Sequence, residues 1–114
     1  MDLGVEVMKQ DGAAVLRVTG EIDVATAPRL REHVVTLVAE GETRLVVDLE
    51  GVDFIDSTGL GALVGALKRV RTHGGELAIV CTRSRLLKVF EITGLGRVFE
   101  VHDTVDAAVA AGQD

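Results

Sequence analysis

The chain has 114 residues, enough for one compact domain, and 47% of them are hydrophobic. Phenylalanine is the only aromatic residue type, so the usual tryptophan and tyrosine platforms for stacking bases, sugars or flavins are missing. The 12 basic and 18 acidic residues give a net charge of −6. Nucleic acid and anionic membrane surfaces are therefore unfavourable partners, and a basic protein surface is a favourable one.

Cys81 is the only cysteine, so no disulfide can form within the chain. It lies in a strand-like run, where a buried, small apolar side chain is a better interpretation than a redox group. Residues 1–10 alternate apolar with polar and lack the pattern of a signal peptide. No apolar run approaches the ~18 residues needed to cross a bilayer. The sequence therefore predicts a soluble, cytoplasmic protein.

The predicted elements begin with a β-hairpin. Two runs of alternating residues lie on either side of Asp11-Gly12, a dipeptide typical of tight hairpin turns, and Gly20 is predicted to end the second strand. A first helix follows, with Thr26 as its N-cap, Pro28 in its first turn and Gly41 as its stop. The chain thus opens with two strands and a helix.

A strand and a second helix occupy the middle of the chain. Residues 45–49 form a short, nearly continuous apolar run, which is typical of a strand covered on both faces. A loop that includes residues 52–55 is predicted next. The second helix is then expected to run from Asp56-Ser57 to about Thr72, where a pair of glycines follows.

The last third of the chain repeats this alternation. The pattern predicts a strand over residues 77–80, a helix over residues 86–92 closed by Gly94, and an edge strand over residues 98–101. Asp103-Thr104 is predicted to cap a short, alanine-rich helix. The expected fold class is α/β: a single domain with an N-terminal β-hairpin leading into a mostly parallel mixed sheet of four to five strands, packed with about four helices.

The second helix has an unusual outer face. Its large apolar residues fall on one side of a helical wheel and are expected to face the sheet; they are Leu60, Leu63, Val64 and Leu67. The opposite side is nearly bare and comprises Thr58, Gly61, Ala62, Gly65 and Arg69. Gly59, Gly61 and Gly65 together cost the helix about 3 kcal/mol relative to alanine. This pattern fits a surface that receives another protein's backbone and equally fits glycines packed against the same domain.

Asp56 and Ser57 are typical helix-start residues, because their oxygens accept free N–H groups. Catalytic and cofactor roles are poorly supported. The glycines depart by one residue from the dinucleotide-binding fingerprint and follow the preceding strand too distantly. A serine hydrolase would need a base directed at Ser57, yet His33, His73 and His102 occur in no recognisable motif and lack metal-ligand spacing. The sequence therefore predicts no catalytic, cofactor or metal site, and no enzyme.

Several segments, taken in order, point to a known family. They are Gly20-Glu21-Ile22-Asp23, Val46-Val47-Asp48-Leu49, residues 52–61 and residues 86–95. Together they resemble the STAS family, named for sulphate transporters and anti-sigma factor antagonists, and the resemblance covers essentially the whole chain. The Asp-Ser-Thr-Gly-Leu-Gly run over residues 56–61 resembles the antagonist branch of that family.

The resemblance implies a phosphorylation switch. In that branch the unphosphorylated antagonist binds an anti-sigma factor, which is itself a serine kinase, and so frees the sigma factor. The kinase then phosphorylates the serine matched here by Ser57, which ends the complex, and a serine/threonine phosphatase resets the cycle. ATP and magnesium would belong to the kinase, so no cofactor is expected in this chain.

The same resemblance suggests which residues border the partner. The predicted partner-binding set is Glu21, Asp23, Thr26, Asp56, Thr58, Gly59, Leu60, Gly61 and Gly65. Local roles compete for two of them, since Thr26 can be a helix cap and Asp23 a turn former. Nucleic acid and membrane are not expected as partners, and the chain is expected to be a monomer or a weak homodimer.

Two other functions remain compatible with the resemblance. One is a STAS subunit of a membrane transport complex, although such a subunit need not keep a phosphorylatable serine beside Asp56. The other is an antagonist of a signalling kinase that is not an anti-sigma factor. The sequence names neither the partner nor the stimulus.

Overall fold

Asp11 and Gly12 turn the chain between its first two strands. Both have positive φ, 48° and 86°, as a tight hairpin turn between twisted strands requires. They join β1 (Leu3–Gln10) to β2 (Ala13–Ile22), which pair antiparallel without a break in register. The computed structural model describes residues 2–113, and the predicted hairpin is confirmed in it.

Helices and strands alternate after the hairpin. The elements are α1 (Ala27–Ala39), β3 (Arg44–Ile55), α2 (Ser57–Thr72), β4 (Glu76–Val80), α3 (Ser84–Ile92), a 3-10 turn (Leu95–Arg97), β5 (Glu100–His102) and α4 (Val105–Ala111). The five strands form one sheet in the order β1-β2-β3-β4-β5, and every pair after the first is parallel. The predicted α/β class, with a hairpin leading into a mostly parallel sheet, is confirmed.

The two faces of the sheet are covered unequally. Helices α1, α2 and α3 pack on one face, where the main core includes Leu16, Val47, Leu63, Ile79 and Phe90. The much shorter α4 covers part of the other face, over a small cluster that includes Val15, Val46 and Val109. Because strands β3 and β4 carry apolar residues toward both layers, their sequences read as continuous apolar runs.

Three element boundaries differ from the sequence predictions. Gly20 does not end β2, and residues 52–55 are not a loop, because β2 and β3 continue side by side as far as the Ile22–Ile55 pair. Two register shifts let the strands stay paired, and Gly20 adopts a φ of +97° at one of them. Strand β5 begins only at Glu100, since the chain before it forms the 3-10 turn.

Cys81 directly follows β4, and only 1% of the residue is exposed. Burial raises the pKa of the Cys81 thiol above its ordinary value, which lowers the fraction of reactive thiolate at neutral pH. We expect a water-soluble disulfide reagent to modify Cys81 far more slowly in the folded protein than in urea. Equal rates in the two states would contradict this placement of the side chain.

Within residues 2–113, the model contains no helix that combines the length and the apolar character needed to cross a membrane. The longest helix, α2, carries several charged residues and buries its apolar stripe against the sheet.

Candidate functional site

Asp56 fixes the start of α2 at the carboxyl end of β3. Its backbone is extended, with φ −103° and ψ −175°, and its Oδ1 accepts a hydrogen bond from the N–H of Gly59 at 2.9 Å. Its own N–H donates to the carbonyl oxygen of Ile22 at 3.2 Å, which ties the helix start to the end of β2. The predicted capping role of Asp56 is confirmed.

Ser57 is the first residue of α2, and it is exposed. The bond from the N–H of Leu60 to the carbonyl of Asp56, at 2.9 Å, spans the first turn, so the N–H groups of Ser57 and Thr58 precede the helical ladder. An anion on Ser57 would gain about 0.3–1 kcal/mol from this helix end. The adjacent Asp56 carboxylate opposes that gain.

A compact turn connects β2 to α1 beside this helix start. The Asp23 carboxylate oxygen Oδ1 accepts from the N–H groups of Ala25 and Thr26, at 2.9 and 3.0 Å. The Thr26 hydroxyl donates to the carbonyl oxygen of Glu21 at 2.7 Å and accepts from the N–H of Asp23 at 2.9 Å. Asp23 therefore acts as a turn former through its carboxylate, as one of its two predicted roles required.

The prediction that Thr26 caps α1 with its side chain is wrong. Thr26 occupies the N-cap position, but its backbone is helical and its hydroxyl makes no capping bond. Only 4% of the residue is exposed, and its hydroxyl braces the turn instead. Thr26 consequently positions Asp23 and offers almost no surface of its own.

Pairing of β2 with β3 brings the segments that begin with Asp23 and Asp56 to the same edge of the sheet, at the carboxyl ends of the strands. The last paired residues are Ile22 and Ile55, and each is followed directly by an aspartate. Because the carboxyl ends of neighbouring parallel strands meet at the same edge, Asp23 and the Asp56-Ser57 segment lie at adjacent strand ends. Glu21, one residue earlier on β2, is half-buried beside Phe54 of β3.

The glycines of α2 fall into two groups. A Cβ atom on Gly59 would lie 2.5 Å from the carbonyl oxygen of Ile22 and 2.8 Å from side-chain carbons, so this glycine is required by close packing. A Cβ atom on Gly61 or Gly65 would meet nothing within 4 Å. Both interpretations of the glycine pattern are thus realised: Gly59 packs internally, while Gly61 and Gly65 leave the outer face open.

Leu60 points into the core and is buried with the other apolar residues of α2. Gly59 is also buried. Neither presents a side chain to a docking protein, so we leave both out of the proposed contact surface. Their contribution is to seat α2 against β2 and β3.

The open face of α2 forms one wall of a groove between α1 and α2, about 800 Å³ in volume. The residues that α2 contributes include all five of the predicted bare face: Thr58, Gly61, Ala62, Gly65 and Arg69. The opposite wall comes from α1 and includes Pro28, Arg31 and Val35. We call this feature the α1–α2 groove. It starts at the N-terminal end of α2, where Ser57 lies.

Sequence reasoning missed the α1 wall of the groove. Arg31 and Glu32 line it opposite Arg69, and no helical pattern within α1 indicates that α2 stands beside them. Val24 lines it as well and is 70% exposed. An apolar residue set between Asp23 and Thr26 in a polar turn was the one available signal for an exposed contact residue.

The three histidines are engaged away from Ser57 or lie on another helix. His73 contacts the carbonyl oxygen of Arg69 at 2.9 Å through Nδ1, and His102 contacts the carboxylate of Glu100 at 2.6 Å through Nε2. His33 lies on α1, toward β1. Among residues 2–113, no cluster of histidine, cysteine and acidic side chains is arranged to hold a metal ion.

Comparison with known proteins places this chain in a family. The family model of the STAS domain matches residues 4–108, and the chain belongs to the STAS domain family. It is 39% identical over 101 residues to a protein named anti-sigma-B factor antagonist from Bacillus subtilis (strain 168), covering 89% of this chain and 92% of that one. A protein of the same name from Staphylococcus aureus (strain NCTC 8325 / PS 47) is 39% identical over 103 residues, covering 90% and 95%.

A solved structure agrees with the match. The crystal structure of an anti-sigma factor antagonist from Mycobacterium paratuberculosis superposes with a TM-score of 0.90 at 32% identity, covering 99% of this chain and 96% of that one. The similarity spans the hairpin, the parallel strands and all the helices. The relatives bear the name of the branch that the Asp56–Gly61 segment resembles.

Proposed function

We propose that this protein is an anti-sigma factor antagonist whose unphosphorylated form binds an anti-sigma factor serine kinase, and that it works by binding rather than by catalysis. The observation that carries the proposal is an exposed Ser57 at the head of a groove whose α2 wall is kept bare at Gly61 and Gly65. The names of relatives at 39% identity over most of their length support it.

The proposed contact surface combines the groove with the acidic edge beside Ser57, which is the carboxyl end of strands β2 and β3, where Asp23 and Asp56 lie. Gly61 and Gly65 allow a partner backbone to approach α2 closely, and Val24 offers apolar area at the rim. The Asp23 turn and Asp56 supply negative charge at one end, on a chain whose net charge is −6. A partner with a basic patch facing this edge would be favoured in encounter and in orientation.

Phosphorylation of Ser57 is proposed to end the complex. The phosphate would add about −1.5 to −2 charges at the edge that already holds Asp23 and Asp56. Docking would strip water from that charge and press it against the partner. A serine/threonine phosphatase is proposed to remove it and restore binding.

Affinity purification from the cells that make the protein tests the proposal. Tagged wild type is compared with Gly61→Leu, and Ala110→Leu is the matched control, since Ala110 is exposed on α4 across the sheet. We expect wild type and Ala110→Leu to retain an anti-sigma factor kinase and Gly61→Leu to lose it. If wild type and Ala110→Leu recovered a membrane transporter instead of a kinase, the result would contradict the proposal and favour a transport subunit.

Asp23→Asn separates the charge of Asp23 from its role in the turn. The asparagine oxygen can accept the same bonds from Ala25 and Thr26, so the melting temperature should stay close to that of wild type. Loss of one half-buried surface charge should weaken partner binding by up to about fivefold. Calorimetric titration measures the change, and unchanged affinity at low salt would show that Asp23 is purely structural.

A further inference from the structure

Strand β1 forms one border of the sheet, and no strand among residues 2–113 pairs with its outer edge. Its eight residues pair with β2 in an unbroken register, without a bulge or a proline. Val7 is 42% exposed and Met8 39%. Proteins normally protect such an edge, because a long regular strand with apolar side chains readily accepts another strand.

The hydrogen bonds to β2 determine which backbone groups of β1 face outward. The N–H of Glu21 donates to the carbonyl of Asp2 at 3.1 Å, so residue 2 belongs to a bonded pair. Bonded and non-bonded pairs alternate along an antiparallel ladder. The N–H and C=O groups of Leu3, Val5, Val7 and Lys9 therefore point away from β2.

We propose that a second copy of this chain adds to this edge, with the two β1 strands antiparallel across a two-fold axis at Val7. Each Val7 then pairs with its own counterpart, and Val5 pairs with Lys9 of the second copy, all through outward-facing backbone groups. Axes at Glu6 or at Lys9 would put like charges directly opposite, which is unfavourable. The register at Val7 avoids both and places Glu6 opposite Met8.

Helix α1 supports the same position of the axis. A pocket of about 390 Å³ lies between β1 and α1, and Val7 lines it together with Leu37 and with His33, the middle residue of the helix. Arg29 and Glu40 line the same pocket on either side of that middle. A two-fold axis level with Val7 therefore turns Arg29 of one copy toward Glu40 of the other.

This charge complementarity selects the axis at Val7 over one at Val5. Moving the axis by two residues would slide one copy past the other by about 13 Å, since each strand residue rises roughly 3.3 Å. Arg29 of one copy would then no longer lie near Glu40 of the other. The edge, its register and the charges at the two ends of α1 are thus all compatible with one arrangement, a continuous sheet through two copies of the chain.

Cysteine cross-linking tests the geometry directly. In the proposed register the two Cα atoms at position 7 lie about 5.5 Å apart, within disulfide reach. Those at position 8 are offset by a diagonal of about 8 Å, beyond that reach. Under mild oxidation, Val7→Cys should form a covalent dimer and the equally exposed Met8→Cys should not. Equal cross-linking of the two variants would overturn the proposal.

Sedimentation equilibrium from micromolar to millimolar protein supplies the second test. Wild type should dimerise, Val7→Lys should raise the dissociation constant by about fivefold or more, and Met8→Lys should not raise it, because that lysine faces Glu6. Arg29→Glu should weaken the dimer, and Arg29→Glu with Glu40→Arg should restore it. A wild-type chain that stays monomeric at every concentration would overturn the proposal, whatever else binds the edge.

Discussion

Replacing Gly61 or Gly65 by leucine should abolish binding of the proposed anti-sigma factor partner without lowering the melting temperature. Leucine has the better helix propensity, by about 0.8 kcal/mol, and its Cβ would meet no atom within 4 Å at either position. The same side chain fills the α1–α2 groove that we propose the partner enters. Affinity and thermal stability should therefore separate, the first falling at least about a hundredfold.

Gly59→Ala is the matched contrast to these two variants. Its Cβ would lie 2.5 Å from the carbonyl oxygen of Ile22, so we expect a loss of about 1–3 kcal/mol in the free energy of unfolding. Differential scanning calorimetry distinguishes the two classes. Full partner affinity in folded Gly61→Leu and Gly65→Leu would show that the groove is not the contact surface.

Phosphorylation of Ser57 should remove binding and leave the domain folded as before. At the start of α2 the helix end favours the phosphate by about 0.3–1 kcal/mol, while repulsion from Asp56 at the surface is of similar size and opposite sign. At the interface no such balance exists, since an unsatisfied buried charge costs several kcal/mol. A loss of about 3 kcal/mol already lowers the affinity roughly a hundredfold.

Two substitutions test separately the loss of the Ser57 hydroxyl and the gain of a negative charge. Ser57→Ala should keep full binding, whereas Ser57→Asp should weaken it by less than the phosphate does, because it is shorter and carries a single charge. Amide NMR spectra of the phosphorylated protein should change only around the start of α2. Shifts spread across the sheet, or a melting temperature lowered by many degrees, would reveal a conformational switch instead.

The order and type of the elements could be predicted because local signals agreed with one another. Asp56 is a strong cap, the apolar stripe of α2 has helical spacing, and the glycine pair at 74–75 follows it; the helix indeed runs from Ser57 to Thr72. The hairpin was equally clear, since Asp11-Gly12 is a turn signal in its own right. Where one short segment determines its own conformation, sequence was sufficient.

The errors occurred where the conformation of a residue depends on segments that are distant in the sequence. The ends of β2 and β3 depend on each other across some thirty residues of chain, which no local pattern records. The hydroxyl of Thr26 bonds to Glu21 rather than to α1, because the β2–α1 turn bends it back. Likewise Gly59 differs from Gly61 because Ile22 and Ile55 pack against it. The α1 wall of the groove was invisible for the same reason.

The most direct test of the central claim is to map the phosphorylated residue. The purified protein is incubated with the proposed partner kinase, ATP and magnesium, and its peptides are analysed by mass spectrometry, with Ser57→Ala as the control. We predict a single phosphate on Ser57 and none on the control protein. Phosphate on the neighbouring Thr58 with Ser57 unmodified, or equal phosphate on Ser57→Ala, would contradict the proposed switch.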